Sequence, residues 1–145
     1  MFIYKNASRG KLQYVDYAKQ LISYDGMRFP GRTGLYDVTP TDIDGFLQFD
    51  RYNCFIFIEL KHNGDLPDGQ ENALIKTVDA IQRGGAESAL FVAIHNTPAK
   101  EMVNARDAVI SKTYWKRTWY IHHGDKTLYE AIRQFLDYVE RRGHG

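Results

Sequence analysis

The chain has 145 residues, 43% of them hydrophobic and 26% charged, with a formal net charge of +1. That is the composition of a single globular domain spanning residues 1–145. Lone Cys54 excludes a disulfide scaffold, and the longest apolar runs, Cys54 to Ile58 and Ala89 to Ile94, fall far short of the ~18 residues of a membrane span. A net charge this close to zero supplies no whole-molecule pull toward nucleic acid, so any polyanion site has to be local. The start, Met1 to Asn6, carries no secretory signal pattern, and the expected address is cytoplasmic, with no membrane partner.

Leu12, Val15, Ala18 and Ile22 recur at helical spacing and predict a first helix that stops at Asp25-Gly26. Prolines and glycines punctuate the next stretch, in which Leu35 to Val38 can form a short strand. Two strands are expected at Asp42 to Phe49 and Cys54 to Lys61, joined by Asp50-Arg51-Tyr52-Asn53, a length common in hairpins. Cys54 to Ile58 is apolar on both faces, which predicts a central strand covered from both sides. A helix follows from Glu71 to Arg83, with Leu74, Val78 and Ile81 on one face, an Asp68/Glu71 capping box and a Gly84-Gly85 stop. Ala89 to His95 reads as a second buried strand and Arg117 to His123 as a later one. The last helix has an apolar stripe of Leu128, Ile132, Phe135, Leu136 and Val139, a Thr127/Glu130 capping box, and Gly143 after it. This element order predicts an α/β domain with a mixed sheet.

The anomaly is chemical. Glu59 and Lys61 end a strand that is otherwise wholly apolar, where charge is costly unless paired or metal-bound. Period two puts Phe55, Phe57, Glu59 and Lys61 on one face. Pairing Phe49 with Cys54 across the loop sets Asp44 opposite Glu59 and Asp42 opposite Lys61. Two carboxylates facing each other across a ladder repel, and a divalent cation reverses the sign of that interaction. Magnesium accepts one or two carboxylates and keeps positions for water and phosphate oxygens, while Lys61 beside it can orient water or offset phosphate charge.

Asp44-Gly45, followed on the next expected strand by Glu59-Leu60-Lys61, resembles the PD-(D/E)XK nuclease superfamily, which includes restriction endonucleases and Holliday junction resolvases. The resemblance covers roughly residues 12 to 95. It implies a restriction endonuclease-like three-layer α/β domain, with a central mixed sheet flanked by helices. It also implies Mg²⁺-dependent (or Mn²⁺-dependent) hydrolysis of phosphodiester bonds, with DNA the expected substrate and endonuclease the expected mode. Asp44 matches the first acid of the motif, Glu59 the second and Lys61 the lysine. The backbone carbonyl of Leu60 is implied as a further metal contact, and Gln70 is similar to the glutamine that opens the following helix in some branches. The proline is displaced, in Pro40-Thr41-Asp42-Ile43-Asp44, which leaves Asp42 a rival first acid.

Lys112, Lys116 and Arg117 interleave with Tyr114, Trp115, Trp119 and Tyr120, the composition of a surface that neutralises phosphates and stacks on bases, and equally of a strand with one aromatic face in the core. His62, His95, His122, His123 and Cys54 lack zinc-ligand spacing and read as structural or surface residues. Near-neutral charge in one small domain implies that specificity comes from a partner protein or a homodimer. The competing expectation is a non-catalytic nucleic-acid or protein-binding module that keeps the acids for structure.

Overall fold

The computed structural model describes Ser23, residues 25–31, Asp37–Val38, and residues 43–63 and 70–144. The predicted first helix and Asp42 lie outside these residues. The chain divides between Thr41 and Asp42 into two units. In the first, β1 (Phe29–Pro30) and β2 (Asp37–Val38) form a short antiparallel pair, Phe29 opposite Val38.

The second unit is an α/β assembly of five strands and two helices: β3 (Gly45–Phe49), β4 (Cys54–His62), α1 (Gln70–Arg83), β5 (Glu87–His95), β6 (Val109–Trp115), β7 (Thr118–Ile121) and α2 (Leu128–His144). The sheet order is β3-β4-β5-β6-β7, parallel between β4 and β5 and antiparallel elsewhere, so the sheet is mixed as expected. The β3–β4 register runs from Phe49↔Cys54 to Gly45↔Ile58, the pairing predicted from the loop. That loop is a single 3₁₀ turn, Asp50–Tyr52, closed by Asn53 in the left-handed region at φ 49°. The strand expected from Asp42 starts at Gly45. Gly45 suits the close pairing, because a Cβ there would lie 3.2 Å from the Cβ of Ile58, tight enough that Ile58 would have to shift by a few tenths of an ångström.

Alternation on the central strands separates two cores. Phe57, Leu90, Val92 and Tyr114 pack with Leu74 and Val78 of α1. Cys54, Ile56, Ala89, Phe91, Ala93 and Ile110 pack with Leu128, Ala131 and Ile132 of α2. Each fully buried large side chain among them contributes about 1.5–3 kcal/mol, so a charge at Ile56 would break the second core. The start of α2 is tied to β6 by Leu128 N–H donating to the Ala108 carbonyl at 2.7 Å, and the Thr127/Glu130 capping box forms as predicted. Gly143 does not end α2; the helix runs on to His144. No helix among the described residues is long and apolar enough to cross a membrane.

The late strand expected from Arg117 to His123 is β7, Thr118–Ile121, and it forms a hairpin with β6, which the sequence does not predict. Lys116 and Arg117 are the hairpin's two-residue turn, both left-handed, with φ 49° and 64°. β6 also carries a bulge: Val92 pairs with Lys112 and Ala93 with Ile110, so Ser111 is the extra residue. The bulge flips the strand's faces. Ile110 points to the α2 core, whereas two residues later Lys112 stands opposite Val92, on the α1 side.

Candidate functional site

Glu59 and Lys61 follow Phe57 at period two and so face α1. Glu59 is 3% exposed. Opposite them β3 has already ended, since its last pair is Gly45↔Ile58. Asp44, the next residue, bends out of the strand, and its Oδ2 accepts the N–H of Leu60 at 2.7 Å. A strand residue's N–H and C=O point to the same side, so the Leu60 carbonyl also opens toward the frayed end of the β3–β4 ladder. The Asp44 carboxylate, the Leu60 backbone and the root of the Glu59 side chain therefore meet where the hairpin opens.

Lys61 leads to a residue that the sequence reading assigned elsewhere. Its Nζ lies 3.7 Å from Oε1 of Glu71, whose Oε2 is 3.2 Å from Nζ of Lys112. One carboxylate in the first turn of α1 is thus held between two lysines, one on β4 and one on β6. Its position there also suits the positive end of the helix dipole. The capping box that the sequence predicts for Glu71 has Asp68 as its other half, and Asp68 lies outside the described residues. The overlooked signal was helical phase: Glu71 precedes Leu74 by three residues and Val78 by seven, so it lies on the buried stripe. Gln70, predicted for the site, is the first residue of α1.

The basic and aromatic tract does not form one stripe. Lys112 faces α1 and sits 4.3 Å from the centre of the Trp119 ring. Lys116 lies over Trp115 at 4.8 Å, on the α2 side, and Arg117 borders a groove with Asp79, Gln82 and Arg83. Beside Lys112, the Tyr114 hydroxyl donates to both oxygens of Asp79, at 2.9 and 3.1 Å. Burial, and then Asp79, push that phenol above its ordinary pKa. The Cys54 thiol, fully buried, is pushed up to about 12 by desolvation and then by Glu87.

Two carboxylates and a backbone carbonyl are hard oxygen donors, a chemistry that suits Mg²⁺ or Mn²⁺ with water completing the shell. Among the described residues no group of three or more His, Cys, Asp or Glu side chains is arranged to hold a metal ion. Any ion here would depend on Asp44, Glu59 and the main chain at Leu60. Comparison with protein-family models, curated proteins and solved structures gives no match for this chain.

Proposed function

We propose that the chain is a metal-dependent nuclease of the PD-(D/E)XK kind, a cytoplasmic restriction endonuclease-like three-layer domain that hydrolyses phosphodiester bonds, with DNA as the expected substrate. The observation that carries the reading is the Asp44 to Leu60 hydrogen bond. It ties the first acid of the motif, at the bend just before β3, to the β4 backbone between the second acid and the lysine.

In this reading Asp44, Glu59 and the Leu60 carbonyl hold Mg²⁺ or Mn²⁺. The bound ion supplies Lewis-acid charge and a more acidic water. Lys61, steadied by Glu71, presents N–H donors to the attacking water or to the developing negative charge on phosphate. Lys112, held by the same carboxylate, adds a second positive charge on that face. Lys116 and Arg117, at the hairpin tip, contact phosphates farther along the strand.

The test is incubation of the purified chain with labelled duplex, single-stranded and branched DNA and with RNA, in Mg²⁺, Mn²⁺ or EDTA. Metal-dependent cleavage is expected, and Asp44→Ala and Glu59→Gln should each abolish it while the circular dichroism spectrum stays that of the parent. Binding without cleavage under every condition would replace the enzyme with the non-catalytic module. Activity within a few-fold of the parent in either variant would remove these residues from the site.

A further inference from the structure

The opposite face of the sheet holds a separate feature. Between the β6–β7 hairpin and α2 lies an open cavity of about 450 Å³, within the range of small-molecule sites. The hairpin divides its side chains by period two. Lys112, Tyr114 and Trp119 go to the α1 face, while Thr113, Trp115, Tyr120 and His122 form one wall of the cavity. Gln134, Phe135 and Tyr138 of α2 form the other wall. Buried Phe91 is the floor, and the small Ala131 leaves the space between.

We infer that this cavity binds a nucleobase carrying a phosphate, at a site independent of the Glu59 and Lys61 cluster. Three features select that ligand. The first is stacking area: Tyr120 and Tyr138 are 46% and 44% exposed, one on each wall, although most large rings of this core are covered. Trp115 backs them, with its ring centre 6.3 Å from Tyr120 and 5.4 Å from Tyr138. Exposed aromatic rings lining a cavity can stack on any base, at about 1–3 kcal/mol per stack.

The second feature is the polar edge. His122 Nε2 and Thr113 Oγ1 are bonded at 3.0 Å, and desolvation, Lys126 and His123 hold the imidazole below its usual pKa, which favours the neutral ring. Gln134 accepts from Lys126 Nζ through its carbonyl oxygen, which leaves the amide N–H groups able to donate to a ligand. The slot therefore offers neutral hydrogen-bonding groups rather than charge where the base would sit.

Positive charge against the lining residues Trp115 and Gln134 is the third. Lys116 Nζ and Arg142 Cζ lie 4.8 and 5.7 Å from the Trp115 ring centre, and Lys126 stands beside Gln134. No carboxylate is among the described lining residues; Glu87, behind Trp115, is engaged by the indole N–H at 3.1 Å and by Arg142 at 3.4 Å. An aromatic slot with cations against its lining matches a ring that carries a negative group, and a neutral aromatic would leave those cations unused.

The test uses AMP, adenosine, ribose 5-phosphate and a short oligo-dA strand as probes, each titrated calorimetrically into the unaltered chain. A Trp119→Phe variant leaves Trp115 as the only indole, so fluorescence reports the cavity directly. AMP should bind saturably and change Trp115 emission, adenosine should bind more weakly, and ribose 5-phosphate should give no saturable change. Tyr138→Ala and Tyr120→Ala, both at exposed positions, should each weaken AMP about tenfold or more, the loss expected for one base stack. If oligo-dA binds more tightly than AMP, the base comes from a strand; the reverse order identifies a free nucleotide, and both support the site. Absence of saturable AMP and oligo-dA binding, equal affinity for AMP and ribose 5-phosphate, or unchanged affinity in both tyrosine variants would overturn it. Cleavage activity enters none of these readouts, so the result stands apart from the nuclease reading.

Discussion

Glu71 is the carboxylate that two lysines share. At an effective dielectric of about 20, its attractions to Lys112 at 3.2 Å and Lys61 at 3.7 Å are about 5 and about 4.5 kcal/mol before desolvation. Most of that is returned as the cost of taking the charges out of water. The net loss from deleting one partner of a buried pair is roughly 3–5 kcal/mol. Here the lysines can partly escape: the side chains of Lys112 and Lys61 are 26% and 12% exposed, and without Glu71 their ammonium groups would turn toward solvent. Glu71→Gln, which keeps shape and removes charge, should therefore cost about 2–3 kcal/mol in urea unfolding at neutral pH. Glu71→Leu combined with Lys112→Met should recover part of that loss, because an apolar pair leaves one fewer stranded charge. Glu71→Gln destabilising by less than about 0.5 kcal/mol, the level of an ordinary surface change, would refute the claim that this carboxylate organises the two lysines.

Other expectations follow from local geometry. Asp44→Ala should lose about 1 kcal/mol in urea unfolding without metal, since the Leu60 N–H loses its 2.7 Å acceptor; the facing of acids by itself predicts the opposite sign. Replacing Lys116-Arg117 by Asn-Gly should raise stability by about 1 kcal/mol, because both positions are left-handed and the new residues suit that turn, while weakening AMP binding at the cavity. Cys54, at 0% exposure and with a pKa of about 12, should resist iodoacetamide at pH 8 until the protein unfolds, as read by mass spectrometry. Glu130 is held below its usual pKa by hydrogen bonds from the Thr127 N–H and hydroxyl, with Lys126 adding to them. A depressed carboxylate stabilises the fold above its unfolded pKa, 4.5, and loses that contribution as pH falls through the folded value. The melting difference between parent and Thr127→Ala should accordingly be largest near neutrality and narrow in acid.

Where each structural instruction was local, the sequence was legible. Four residues between two strands fix where the hairpin closes, and Phe49↔Cys54 is that closing pair. The stripe of α1 and the capping box of α2 were equally direct. β6 was not, and the cause is the bulge at Ser111. A strand whose faces exchange midway shows neither clean alternation nor a continuous apolar run, so Val109 to Trp115 has no period to read. The ion pair of Lys112 is hidden for the same reason, since no linear pattern states that an extra residue turns it toward Glu71. The left-handed pair Lys116-Arg117 lacks the glycine or asparagine that announces such turns, so the sequence predicts the second strand of the hairpin but neither the turn nor β6.

Chain order in the sheet has a kinetic consequence. β3–β4, β5–β6 and β6–β7 each join consecutive strands in antiparallel fashion and can form from nearby segments, whereas the parallel β4–β5 pair closes only when the crossover through α1 is laid down. A chain that has made its hairpins but not its crossover leaves the β5-facing edge of β4 open along Cys54 to Ile58, a stretch apolar on both faces and thus prone to pair with another chain. Lys61, Glu71 and Lys112 come from β4, α1 and β6, so their ion cluster cannot assemble before that closure. The same event shields the aggregation-prone edge and brings the charged cluster together, and refolding yield should fall with rising protein concentration until it occurs.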